Sequence, residues 1–285
     1  MGKPVRLVAG FPSVEHSFVR ISAGFDIAYQ CPQPTPMLLA LSVHPSRMAD
    51  MIGPHHIQFD PPIGATEYRD GFGNVCHRIV APAGSLRMSA RFIVSDPGTP
   101  DVVVPDAAQH AIQDLPDDVL VFLLGSRYCE TDRLTQLAWS LFSHTPEGWP
   151  RVQAICDYVH NRIEFGYHYA DPMRTALAGH MEGRGVCRDF AHLAITLCRC
   201  MNIPARYCTG YLGDIGIPPV DAPMDFSAWF EAYLGGHWHT FDARHNTPRV
   251  GRILMARGRD ATDVALSTIF GPSSLASFQV VTDEI

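Results

Sequence analysis

The stretch GRGVCRDFAHLAITLCRCMNIPARYCTGYL, residues 183–212, decides how the rest of the chain is read. From Cys187 to Met201, the positions Phe190, Ala191, Ala194, Ile195, Leu197, Cys198 and Met201 recur at helical spacing, which predicts a helix with one buried stripe. Asn202 and Pro204 should stop that helix, and IPARYCTGYLG reads as the strand that follows. Cys187 then stands at the first turn, where unpaired N–H groups and the helix dipole favour an anion. This matters because thiolate is the nucleophilic form, and an ordinary cysteine is only about 3% ionised at pH 7. The same backbone donors can form an oxyanion hole for acyl transfer. Gly183 and Gly185 let the chain approach closely just before the turn. Asp189, also in the first turn, suits the dipole whether or not it takes part in chemistry.

A second segment, DFSAWFEAYLGGHWHTFDARHN at 225–246, reads as two strands joined by Gly235-Gly236, a two-residue hairpin signal. If Leu234 pairs with His237, then Ser227, Trp229 and Glu231 share a sheet face with Trp238, Thr240 and Asp242. Asp242 would lie diagonal to position 227, close enough to orient a side chain there. A helix-borne cysteine, a strand-borne base and a strand-borne carboxylate make a nucleophile–base–orienter constellation.

Upstream, the first hundred residues are strand-like. FDIAYQC (25–31) and MLLALSVHP (37–45) flank a proline-rich turn, and GNVCHRIVAPAG (73–84) with LRMSARFIVSD (86–96) suggests a hairpin. PGTPDVVVPDAA (97–108) reads as a linker. Helices are expected over Ser126–Phe142 and within 145–165, the latter with Thr145 as N-cap and Pro150 in its first turn. Tyr167 to Arg184 reads as a loop. The expected organisation is a β-sandwich-like domain over residues 1–100 and an α+β core over 101–285.

Composition narrows the function classes. Apolar residues make up 46% and charged residues 18%, as in globular domains. A formal charge of −7 with no basic run argues against a nucleic-acid or anionic-membrane surface. The N-terminal LVAG (7–10) is too short for a signal-peptide core, and no run reaches a membrane span, so a cytoplasmic protein is expected. None of the eight cysteines forms a C-x-x-C pair, so neither zinc nor another cofactor is expected; seven read as buried structural thiols.

The first segment closely resembles the nucleophile motif of the transglutaminase-like superfamily, a G-V-C-x-D-x-A helix followed by I-P-A-R and G-Y. SAWFEAYLGGHWHTFDA resembles its second motif, H-A-W-x-E with a downstream W-x-x-x-D, and RGRDATDVAL (257–266) the segment that follows. The β-rich N-terminal part resembles the domain that precedes the core in bacterial members. The resemblance implies a papain-like fold, a helix-borne cysteine packed on an antiparallel sheet, with a Cys-His-Asp triad. Cys187 matches the nucleophile and Asp242 the orienting carboxylate. The motif's histidine falls on Ser227, which cannot act as a base near neutral pH.

Several histidines could replace it. His239 is nearest in sequence, though the expected register turns it away from Ser227 and Asp242 unless a β-bulge intervenes. His245 follows Asp242 where the chain could fold back. His192 lies part-way round the helix from Cys187 and reads as a core group; His168 and His180 lie in the preceding loop. Two functions remain open: attack by Cys187 on the amide bond of a peptide or protein, giving hydrolysis or transamidation through an acyl-enzyme, or a lapsed module that keeps the cleft and binds peptide without turnover.

Overall fold

The computed structural model describes residues 18–219 and 224–285. The apolar run at 7–10 lies outside the described residues. Seven strands come first: β1 (Val19–Cys31), β2 (Thr35–Leu39), β3 (Met51–Ile52), β4 (Gln58–Asp60), β5 (Ala65–Arg69), β6 (Val75–Ala81) and β7 (Gly84–Asp96). They form because apolar residues alternate. In β7, Leu86, Met88, Ala90, Phe92 and Val94 are buried while most of the intervening side chains reach solvent.

After the linker come helices α1 (Thr131–Phe142) and α2 (Trp149–Arg162), the short strand β8 (Glu164–Phe165), helix α3 (Ala176–Glu182), strand β9 (Arg184–Gly185) and helix α4 (Cys187–Cys200). The strands β10 (Ala205–Tyr211), β11 (Ser227–Leu234), β12 (His237–Phe241) and β13 (Ile253–Gly258) follow, then β14 (Ser267–Ile269) and β15 (Ser274–Glu284). An antiparallel sheet of order β12-β11-β10-β13 carries α4 on one face, and α1, α2 and α3 pack around α4. Leu193, Ala194, Leu197 and Cys198 of α4 meet Phe230, Ala232 and Leu234 of β11 in a common apolar cluster. Full burial of a side chain of Leu or Phe size is worth about 1.5–3 kcal/mol, so this seam holds the start of α4 in place.

The sandwich departs from its expected boundary. Its sheets run β15-β1-β7-β3, with β4 also on β7, and β14-β2-β6-β5. The strands of residues 267–284, expected in the core, instead pair with β2 and β1. Long strands with apolar inner faces need partners on both edges, and β15 supplies ten paired positions along β1. The sandwich and the core sheet share one interior, since Tyr211, Ile253 and Met255 pack with Ile21, Phe25 and Met88.

Two local expectations also change. Thr145 does not cap α2; Gly148, at φ +85°, takes that place, and the Thr145 hydroxyl donates to the Phe142 carbonyl. The segment read as a loop contains α3, capped by Thr175 Oγ1 accepting from Ala178 N–H at 3.3 Å and ended by Gly183 at φ +65°. Seven residues are too few for periodicity to show. α4 and the Leu234–His237 hairpin register stand as the sequence indicated.

Candidate active site

Cys187 opens α4. Asp189 fixes that start: its Oδ2 accepts the Val186 N–H at 2.8 Å, and it is buried against the Arg174 guanidinium at 3.2 Å. Gly185 is required there, because a Cβ would come within 2.5 Å of Asp189 Oδ2. Asp189 is thus explained as a structural group.

Cys187 lies in a cleft of about 560 Å³, whose walls include Tyr207, Thr209, Phe226, Ser227 and Ala228 from β10, β11 and the residue before it, and Ala265 and Leu266 from beyond β13. The residue is half-buried and its sulfur is closely packed: the thiol faces the Phe226 carbonyl at 4.0 Å, and the Ala228 N–H points at the sulfur. Burial pushes the thiol up to about 11; the Arg244 cation and the Ala228 N–H pull it down, while the Asp225 and Asp242 carboxylates push it up. Helix-start donors alone therefore do not make a resting thiolate, contrary to expectation. Desolvation outweighs them.

Ser227 stands where the motif has histidine. It pairs with Gly210 across β10 and β11 and is almost buried, lining the Cys187 cleft on one side. On its other side lies a second cavity of about 180 Å³, lined by Ser227, Asp225, Arg244 and His245 among others.

Asp242 follows β12 directly, and its carboxylate is fully engaged. Oδ1 accepts the backbone N–H groups of Arg244 at 3.0 Å and His245 at 3.1 Å. Oδ2 accepts Nδ1–H of His245 and Nη2–H of Arg252, each at 2.9 Å. Burial would raise this carboxyl, but Arg252 and His245 overcome it and hold the group well below the usual carboxylate range. Arg252 in turn is held by Asp101 of the linker at 2.9 Å and lies over Trp229.

The turn that returns His245 to Asp242 is pinned. Asn246 is left-handed at φ +52°; its N–H donates to the Asp242 carbonyl at 2.7 Å and its side chain bonds Gln153 and Asp157 of α2. An Asp followed four residues later by an Asn able to adopt that conformation is the signal in DARHN that marks this fold-back.

The other histidines are placed elsewhere. His239 donates its Nε2–H to the Leu234 carbonyl at 3.1 Å, packs on Trp149, and lines a different cavity with Trp238 and Asp96; it is not brought to Cys187. No bulge interrupts β11–β12 to turn it inward. His192 is sealed behind the cleft, stacked on Tyr128, with Nε2 accepting the Ala261 N–H. His180 bonds Tyr158, and His168 packs on Tyr169.

These features agree with the comparisons. Residues 136–243 match the family model of the transglutaminase-like superfamily. A solved structure of a proposed cysteine protease from Cytophaga hutchinsonii is 32% identical, covers 94% of this chain and 91% of its own, and superposes with a TM-score of 0.80. An uncharacterized protein of Mycobacterium leprae is 37% identical over 243 residues, spanning 80% of this chain and 84% of that protein. One from Mycobacterium tuberculosis is 28% identical, spanning 74% of this chain and 73% of that protein. The chain belongs to the transglutaminase-like superfamily, with the α+β architecture of a cysteine-protease-like fold. Among the described residues, no helix is long and apolar enough to cross a membrane.

Proposed function

We propose that this protein acts on amide bonds of peptides or proteins, with Cys187 as nucleophile and an acyl-enzyme intermediate released to water or to a second amine. The observation that carries this reading is the placement of the Cys187 sulfur at a helix start, in a cleft able to hold a peptide-sized segment, with the Ala228 N–H aimed at it. The similarity to a proposed cysteine protease over nearly the whole chain supports the same class. The Arg244 cation is near enough to pull the thiol down and so favours negative charge there, as a thiolate or an oxyanion requires.

The test is hydrolysis of a panel of peptide p-nitroanilides, with and without a primary amine as acceptor, by the wild type and Cys187→Ser. Release of p-nitroaniline that disappears in Cys187→Ser supports the proposal. The serine at position 227 favours a second reading, a cleft that binds peptide without turnover. Peptide binding with no Cys187-dependent release from any substrate would favour that reading.

A further inference from the structure

We infer that His245 is the base for Cys187, delivered from the turn after Asp242 in place of the histidine that the family motif puts at position 227. The inference rests on Cys187 being the nucleophile.

The carboxylate supplies the first argument. An ionised carboxylate offers about four lone-pair sites, and Asp242 fills them with two backbone N–H groups, Arg252 and His245. An imidazole arriving from position 227 would find no acceptor left. Asp242 already orients one imidazole, and because a carboxylate can only accept, the Nδ1 of His245 is the nitrogen that carries the proton. Nε2 is then the basic nitrogen, and among the described residues it makes no hydrogen bond. This is the tautomer a general base needs.

Space supplies the second argument. The His245 cavity and the Cys187 cleft adjoin, sharing Asp225 and Ser227 as walls. A histidine at 227 would thicken the wall between them, whereas serine keeps that shared wall thin. The missing base and the small residue at its site are then one arrangement: the serine vacates the room through which His245 acts. Asp214, Asp225, Arg244, Arg249 and Tyr167 also face this cavity, and Arg252 stands behind Asp242.

The third argument is need. With burial pushing the Cys187 thiol to about 11, unaided thiolate at pH 7 is about one part in ten thousand, so attack requires proton removal as the bond forms. In acylation, the sulfur attacks the carbonyl carbon while Nε2 of His245 takes the thiol proton. The C–N bond then breaks, and Nε2–H returns that proton to the departing amine. In deacylation, Nε2 takes a proton from water as its oxygen bonds to the thioester carbon. The C–S bond breaks, the acid leaves, and the proton goes back to sulfur.

The first test uses the unmodified protein. 1,3-Dibromoacetone alkylates a nucleophilic sulfur with one end and captures a neighbouring imidazole with the other. Peptide mass spectrometry should find a Cys187–His245 bridge. A bridge from Cys187 to any other residue, or an unbridged adduct on Cys187, would overturn the inference. The second test is His245→Gln, whose amide can still donate to Asp242. Turnover of p-nitrophenyl acetate should fall on the order of 10⁴-fold, and iodoacetamide should alkylate Cys187 at pH 7 far more slowly. Turnover within tenfold of wild type would overturn the assignment. Cys187→Ser separates the two readings. If it is inert while His245→Gln is active, only the base is wrong; if it is active, the nucleophile reading itself fails.

Discussion

Replacing Arg252 by Met tests the buried network behind the site. Arg252 lies between two carboxylates, Asp242 and Asp101, at 2.9 Å from each, with its side chain only 8% exposed and those of the carboxylates 4% and 15%. Methionine fills most of the volume and keeps contact with Trp229, but leaves Asp242 buried without its cation. Removing one partner of a buried pair costs about 3–5 kcal/mol. For a chain of this size each kcal/mol lowers Tm by about 2–4 °C, so the melting point should fall by about 6–20 °C. The loss should also depend on pH with a definite sign. Asp242 is held below its ordinary range in the folded protein, so its ionised form stabilises the fold above about pH 4, and that stability fades as pH falls towards the folded value. In Arg252→Met the depression is largely lost, so the difference from wild type should be full at pH 7 and shrink below about pH 4. Urea denaturation followed by tryptophan fluorescence at pH 7 and pH 3.5 measures both. A difference under about 1 kcal/mol at pH 7, or one that does not shrink on acidification, would refute the account.

Two further perturbations probe the frame. Asp189→Ala removes the acceptor of the Val186 N–H and one of the two carboxylates on buried Arg174, so it should cost about 3 kcal/mol by urea denaturation; a cost below about 1 kcal/mol would show that the start of α4 is fixed otherwise. Deleting residues 267–285 strips β15 from β1 and β14 from β2, leaving ten positions along one edge of β1 unpaired, and the product should aggregate. A monodisperse monomer by size-exclusion chromatography with light scattering would contradict this.

What the sequence disclosed follows from what each signal requires. α4 was legible because seven apolar residues repeat at one period over fifteen positions, and the hairpin because Gly235-Gly236 admits few registers; both glycines are left-handed, at φ +57° and +82°. Those two elements place Cys187, Ser227 and Asp242 in one neighbourhood from the sequence alone. The partner of Asp242 was not legible. Which way His245 turns depends on a left-handed Asn246, on two backbone N–H groups folding onto a carboxylate, and on anchors in α2 some ninety residues away in sequence. His239 was attractive only by proximity along the chain; β-sheet alternation sends it to the other face. The thiol's environment was also hidden, since the helix start is local while the burial that outweighs it comes from β10, β11 and the segment beyond β13.

The pairing of β15 with β1 has a consequence for the order of assembly. β1 is among the first parts of the described chain to be synthesised and β15 the last, so the seam between them is the most non-local contact in the fold. Chains emerge at about 5–20 residues per second, and units fold as their residues become available. The four core strands and the helix that carries Cys187 are complete once residue 258 has emerged, before either closing strand exists. The half of the molecule that holds the cleft can therefore form while the sandwich that supports it is still open. The strands that close it are translated after the core that holds the cleft.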